Sequence, residues 1–504
     1  MKVKFNFGRQ QFLKSWLVAL VVLGVSACNS SDDDDDSNQG YIKFYNASKN
    51  APEIYLTIDE DLDISEDDET EITFSSVGYA EALGTYEIEL NDYFFELAWQ
   101  DGDSSVRSEL EMIYQSELAI EKNSLKLVVL NDDVTAPDVI VYDIPVIDED
   151  DDDTYSLFNF NVLNVSTNNN VIDVYMSESD ETFNEAQLLG SYDNKEISDN
   201  HKFDQGSYIF YITYAGSDEV IYQSDAVDYY YSAQYIMVIR ENTGVGSSPF
   251  IIDKVSNSSR VEYIDYNAEA RFRVYNAIRM NDLLPEYHGE VTVHVNDIDD
   301  SPEIELLTSG QLSDALDVDS GDYSLSLLTS DTDTALVSHH LLSLSENANK
   351  TVFFYADEEN VDEDGDGNVD EDGDGIVDEK EVTIHSLVID SSDNTSIYGH
   401  EITAVNLADN EDFNLVNIYF VRSDETIDSA FYHRAFSFAD HETLYLNNNT
   451  YQVYVVAQEN SSNIILDSFE LILDEDSTDQ FIVIENNQTS GTGYKANLFS
   501  RSSE

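Results

Sequence analysis

The sequence predicts an all-β protein of four tandem immunoglobulin-like β-sandwich modules. Three observations lead there. Hydrophobic residues make up 41% of the chain and aromatic residues 12%, with 32 tyrosines and only 6 prolines, a composition that suits folded strands and opposes disorder. Short alternating segments such as Ile54 to Ile58, Ile172 to Met176, Val291 to Val295 and Val416 to Phe420 have the period of two of half-buried strands. One phrase recurs four times at a spacing of roughly 110 to 130 residues, about the size of an immunoglobulin-like sandwich.

That phrase starts with a strand ending in asparagine and an apolar residue: Asn46-Ala47, Asn164-Val165, Asn276-Ala277 and Asn406-Leu407. The alternating strand follows. A turn and tyrosine come about forty residues after each asparagine: Gly84-Thr85-Tyr86, Gly206-Ser207-Tyr208, Gly321-Asp322-Tyr323 and Asn449-Thr450-Tyr451. Asparagine tolerates the left-handed backbone that glycine adopts freely, so the last copy is coherent with the others. A strongly apolar strand closes each unit: Leu125 to Leu130, Tyr235 to Ile239, Val352 to Tyr355 and Phe481 to Ile484. The modules are expected at 41–148, 149–260, 261–398 and 399–504. Acidic or polar linkers such as Asp148 to Asp153 should separate them and give an elongated particle.

Ahead of the modules, Lys2, Lys4, Arg9 and Lys14 precede the short apolar run Trp16 to Val25. This is the pattern of a secretory signal, here residues 1–27, and is too short for an ordinary membrane span. Val25-Ser26-Ala27-Cys28 resembles the bacterial lipobox. The resemblance implies that Cys28 becomes the lipidated first residue and ties the protein to a membrane. Several acyl chains on one residue anchor stably where one chain does not. Asn29, rather than aspartate, follows Cys28; by the sorting pattern of such lipoproteins this implies the outer membrane or cell surface. Residues 28–40 carry the run Asp32 to Asp36 and read as a solvated, self-repelling tether. Cys28 is the single cysteine, which rules out an intrachain disulfide or a thiolate zinc site.

The stretch with the most specific chemistry is 361–381, V-D-E-D-G-D-G-N-V-D-E-D-G-D-G-I-V-D-E-K-E, within an expected insertion at 357–381 of the third module. Calcium takes six to eight oxygens, supplied at alternate loop positions. Counted from Asp370, the ligand slots fall on Asp370, Asp372, Asp374, the carbonyl of Ile376, Asp378 and the closing carboxylate Glu381, with Gly375 at the sharp turn. Counted from Asp362, they fall on Asp362, Asp364, Asp366, Asn368 and Asp370, but Gly373 stands where a final carboxylate belongs. Asp370 would serve both loops. The eight-residue step resembles the calcium repeats of thrombospondin type 3 more than a paired EF-hand, and no amphipathic helix flanks it. The competing reading is a solvated acidic loop, which would not require glycine at a fixed offset.

The opening Tyr41-Ile42-Lys43-Phe44-Tyr45-Asn46-Ala47-Ser48-Lys49-Asn50-Ala51-Pro52 is similar to that of a bacterial domain-of-unknown-function family whose modules begin with a V-R-x-x-N-A-S-P-like phrase. Ile172-Asp173-Val174-Tyr175-Met176 and Arg271-Phe272-Arg273-Val274-Tyr275-Asn276-Ala277 are similar to the same family, while Thr403-Ala404-Val405-Asn406-Leu407 departs from it. The resemblance implies tandem extracytoplasmic sandwiches and no catalysis.

Charge excludes other classes. A formal net charge of -80 repels nucleic acid and anionic lipid while favouring divalent cations and salt. The nine histidines form no metal or triad motif, His339-His340, His433 and His441 included, and there is no G-x-S-x-G or phosphate loop. Tyr229-Tyr230-Tyr231 could stack sugars but reads more readily as packing. The expectation is a non-enzymatic, calcium-binding envelope lipoprotein with a structural or adhesion-like role and an unidentified protein or glycan ligand. The alternative is a carbohydrate-recognition or substrate-capture lipoprotein, against which the shortage of tryptophan counts.

Overall fold

The computed structural model describes residues 39–501 except 62–69, 101–105, 148–155, 168–169, 362–368, 370–376, 378, 393, 410–412, 414 and 460–461. The expected signal, Cys28 and the expected tether up to residue 38 lie outside the described residues. The described chain is all-β; its helical content is three short 3-10 turns.

Eight sheets stack in pairs as four sandwiches. In each, the first strand runs parallel to the late apolar strand. Gln39–Asn46 pairs with Ser124–Asn131, Leu157–Asn164 with Gln234–Glu241, Ala270–Ala277 with Asn349–Asn360, and Gly399–Leu407 with Gln480–Asn486. These strands centre the inner sheet of each module. The alternating strands Ile54–Asp59, Ile172–Glu178, Glu290–Val295 and Leu415–Val421 sit in the outer sheets. The space between inner and outer sheets holds one apolar core per module, around Phe44 and Leu97, Phe160 and Ile212, Val274 and Leu325, and Ile402 and Val453.

Two further cores lie between modules. Tyr45, Leu127 and Val129 of the first inner sheet pack on Leu163, Ile236 and Val238 of the second. Tyr275 and Phe353 of the third pack on Val405, Phe481 and Val483 of the fourth. The first and second modules, and the third and fourth, therefore meet face to face rather than hanging apart on linkers. This corrects the expected string of separate units, and the cause is visible in the burial. Every residue of Ser124–Asn131 is buried, as in a strand covered on both faces.

The asparagine of the repeated phrase is a buried turn device. Its side-chain oxygen accepts the N–H two residues on, from Ser48, Ser166, Ile278 and Ala408 at 3.0–3.1 Å. Its backbone carbonyl accepts the N–H of a residue in the left-handed region: Ala80 (φ 58), Lys195 (φ 63), Gly310 (φ 78) and Ala439 (φ 58). That conformation costs a non-glycine residue about 1–2 kcal/mol, and the fold accepts it three times to satisfy the buried carbonyl.

The turn tyrosines agree in three modules. The hydroxyls of Tyr208, Tyr323 and Tyr451 donate to the carbonyls of Asp204, Asp319 and Asn447 at 2.6, 2.5 and 2.9 Å, each four residues upstream, in the manner of a tyrosine corner. In the first module the expected Tyr86 is misplaced. It stands on an inner-sheet edge strand, 43% exposed, against Phe74. The equivalent residue is Tyr93, 2% exposed, in Asn91-Asp92-Tyr93 at the start of Asp92–Trp99.

Asn276 is fully buried, and its amide donates to Leu307 O (2.9 Å) and the Tyr287 hydroxyl (3.1 Å). Asn276→Ala should destabilise the chain by about 2–3 kcal/mol, because it strands buried partners. Chemical denaturation of the two proteins side by side measures this; a difference below about 0.5 kcal/mol, the level of a neutral surface substitution, would contradict the assigned role.

Candidate functional site

The calcium-type stretch lies at the tip of a long hairpin formed by Asn349–Asn360 and Lys380–Asp390. The ladder runs out in register to Asn360 opposite Lys380, and Val361 N–H donates to Glu379 O at 2.9 Å. The two ends of the acidic loop are thereby held side by side. Of the ten expected ligands, Glu381 is described. It sits on the strand opposite Glu359, both exposed and on one face. Like charges directly opposite on a sheet repel, so this hairpin mouth favours a cation. Asp362, Asp364, Asp366, Asn368, Asp370, Asp372, Asp374, Ile376 and Asp378 lie outside the described residues, as does Cys28. Among the described residues no three His, Cys, Asp or Glu side chains group as a metal site.

The loop end of this hairpin is polar and touches the fourth module. Lys380 Nζ binds Glu358 Oε1 (2.9 Å) and Asn281 Nδ2 donates to its Oε2 (3.0 Å). The Lys380 and Asn281 hydrogen bonds hold the Glu358 carboxyl below its usual range. A recess of about 250 Å³ opens here, between Arg279, Glu358 and Lys380 on one side and Asp409 and Asn486 on the other. Burial raises the Asp409 carboxyl. Next to it, Glu485 receives a hydrogen bond from Asn497 Nδ2 at 2.8 Å, and burial pushes its carboxyl up to about 7.

The other candidates resolve into packing only in part. Tyr229 is fully buried, while Tyr230 and Tyr231 are exposed. His340 lies against Ser386 and Phe354, His433 stacks on Tyr419, and His400 binds Asn448. The sequence reading missed the charged seam of the first two modules. There Asp253, fully buried, accepts from Arg240 Nε (2.8 Å), Arg260 Nε (2.9 Å) and the Tyr45 hydroxyl (2.5 Å). Each partner is far away in sequence or unremarkable in type, so no local signal marks the cluster.

No protein-family model matches the chain. No curated protein matches it either. Solved structures superpose only loosely. The Bacillus anthracis TIE protein matches at a TM-score of 0.15 and 7% identity over 90% of this chain and 75% of its own. The major pilin subunit of Bacillus cereus matches at 0.13 and 10%, over 66% and 100%. The pilus adhesin SpaC of Lactobacillus rhamnosus GG matches at 0.13 and 9%, over 84% and 53%. Likenesses this loose carry no functional argument.

A raised carboxyl pKa means that the folded state holds its proton more tightly than the unfolded one. Stability then falls as pH climbs from the unfolded value near 4.5 through the folded value of about 7. Glu485→Gln, an uncharged isostere, should therefore match the parent at pH 4.5 and exceed it at pH 8 by roughly 2–3 kcal/mol. Paired thermal melts across that window test it; parallel curves would show that the buried carboxyl is not protonated near neutrality.

Proposed function

We propose that this protein is a lipid-anchored envelope protein whose packed β-sandwiches serve a structural or adhesion-like role and bind calcium at the hairpin tip. The observation that supports it is the hairpin. Its ladder brings the two ends of a doubly repeated D-x-D-x-D-G loop together and sets Glu359 opposite Glu381. A loop of this kind chelates with carboxylates from both halves, and extracellular sites of this sort bind at about 0.1–1 mM. The module stack supplies a rigid base, and the lipobox at Cys28 would supply attachment. Among the described residues no helix is long and apolar enough to cross a membrane. No catalytic constellation enters the reading.

Two measurements test its halves. Calorimetric calcium titration of the full chain should show binding at millimolar or lower calcium. Asp370→Ala should weaken both loops, and Glu381→Gln only the loop that begins at Asp370. A parent that binds no calcium, or an Asp370→Ala variant that binds like the parent, would overturn the calcium half. For anchoring, Cys28→Ser should move the protein from the membrane pellet to the soluble fraction; a variant that still pellets would overturn it.

A further inference from the structure

A cleft of about 550 Å³ opens where all four modules meet. Its size lies within the roughly 300–1,000 Å³ of small-molecule sites. The first module contributes Tyr79, the second Arg240, Arg260 and Glu262, the third Asn347, and the fourth Glu401, Tyr445 and Arg501. It exists because the stack closes on itself. Trp99 stacks on Tyr398, just ahead of the fourth module, with centroids 4.6 Å apart and planes at 7°, and Asn447 Nδ2 of that module donates to Gln100 O at 2.7 Å, fastening it to the first. Asn347 donates to Asn242 (3.1 Å) and accepts from Gly246 N–H (2.7 Å), fastening the third to the second.

The charges on the wall decide what can enter. Arg240 and Arg260 are committed to Asp253, Arg260 also to Glu262 (2.6 Å), and Arg501 Nη1 to Glu401 (2.7 Å). An anion would have to displace those carboxylates and would approach a chain of net charge -80. A cation would meet Glu262 and Glu401 already neutralised by guanidinium, Asp390 paired with Lys350, and Glu53 and Glu81 engaged by Ser76 and the Gly78 N–H. A hydroxyl-rich neutral ligand needs neither exchange. A guanidinium has five N–H donors and a carboxylate about four acceptor sites, so paired groups keep capacity for hydroxyls. Tyr445, 39% exposed, offers a ring beside them.

We infer that this cleft binds a short neutral oligosaccharide, held by hydroxyl contacts to the paired arginines and carboxylates and by one sugar face on Tyr445. The site is separate from the hairpin tip, so it stands or falls independently of calcium binding and anchoring.

The test is an array of neutral and acidic oligosaccharides probed with the full chain, with hits titrated by calorimetry in calcium and in chelator. Neutral glycans should bind in both. Tyr445→Ala should weaken binding about tenfold, the size of a lost stacking contact, while Tyr445→Phe, which keeps the ring, should stay close to the parent and certify the fold. Tyr398→Ala, which removes the stacked ring at the closure without touching the wall, should also weaken binding. Tyr231→Ala, on an exposed tyrosine outside the cleft, should leave it unchanged. Absence of any neutral hit, selection of acidic glycans alone, or sensitivity to Tyr231→Ala with indifference to Tyr445→Ala would each overturn the inference.

Discussion

The architecture depends on inner sheets that are buried on both faces. A sandwich module needs one apolar face per sheet; these modules supply two on the inner one. In Gln39–Asn46, Ile42 and Phe44 face the module's own core while Lys43 and Tyr45 face the neighbour. In Gln480–Asn486, Ile482 and Ile484 point one way and Phe481 and Val483 the other. A fully buried large apolar side chain contributes about 1.5–3 kcal/mol. The seam residues Tyr45, Leu127, Val129, Leu163 and Val238, none more than 1% exposed, outweigh any plausible ion-pair term. Burial joins the modules, and the tightly apolar late strands follow from it.

Charge then fixes how they join. The chain has 23 basic residues against 103 acidic ones, and it places several of the former where they are desolvated. Arg107 ties Asp59, Glu71 and Glu96 together over the first outer sheet. Arg240 and Arg260 converge on Asp253. Such buried pairs add little net stability but are costly to break, by about 3–5 kcal/mol for one partner removed. A seam shifted by one residue would bury these charges unpaired, so the ionic cluster selects register where the apolar contacts alone would tolerate slippage.

Much of this was legible in the sequence. The period of two, the four asparagines and three of the four tyrosine turns fall where the pattern places them, because each reports a local backbone requirement. Tyr86 was misassigned because Gly84-Thr85-Tyr86 copies the turn phrase by composition, whereas Asn91-Asp92-Tyr93 carries it in the fold. Face-to-face packing was not legible for a different reason. A continuous apolar run such as Leu127 to Leu130 states that both faces are covered but not by what. Asp253 and its arginines meet only after two sheets have docked. The acidic loop was legible as chemistry, and its placement at a hairpin tip depends on the pairing of Asn349–Asn360 with Lys380–Asp390.

The two seams are variants of one design, and comparing them explains the odd carboxyl at Glu485. Counting back from the repeated asparagine, Lys43 and Tyr45 in the first module stand where Arg273 and Tyr275 stand in the third. Both cations are buried and held by carbonyls just past an inner strand of the facing module: Lys43 by Asn257 O, Arg273 by Arg501 O. Burial lowers both, Lys43 to about 8 and Arg273 to about 10. The ladders equate further positions. Ile239 is level with Asn164 and Ile484 with Asn406, so Arg240 and Glu485 share a slot. Asp253 lies opposite Val238 and Asn497 opposite Val483, so they share the next. Beside its tyrosine, then, the first seam holds an arginine and an aspartate, and the second a glutamate and an asparagine. The first pair is neutral when both members are charged. The second is neutral only when Glu485 keeps its proton, since Asn497 offers a hydrogen bond but no charge. The same slot therefore holds a charge-compensated pair between the first two modules, and a single carboxyl pushed up by burial between the last two, beside the hairpin that carries the acidic loop.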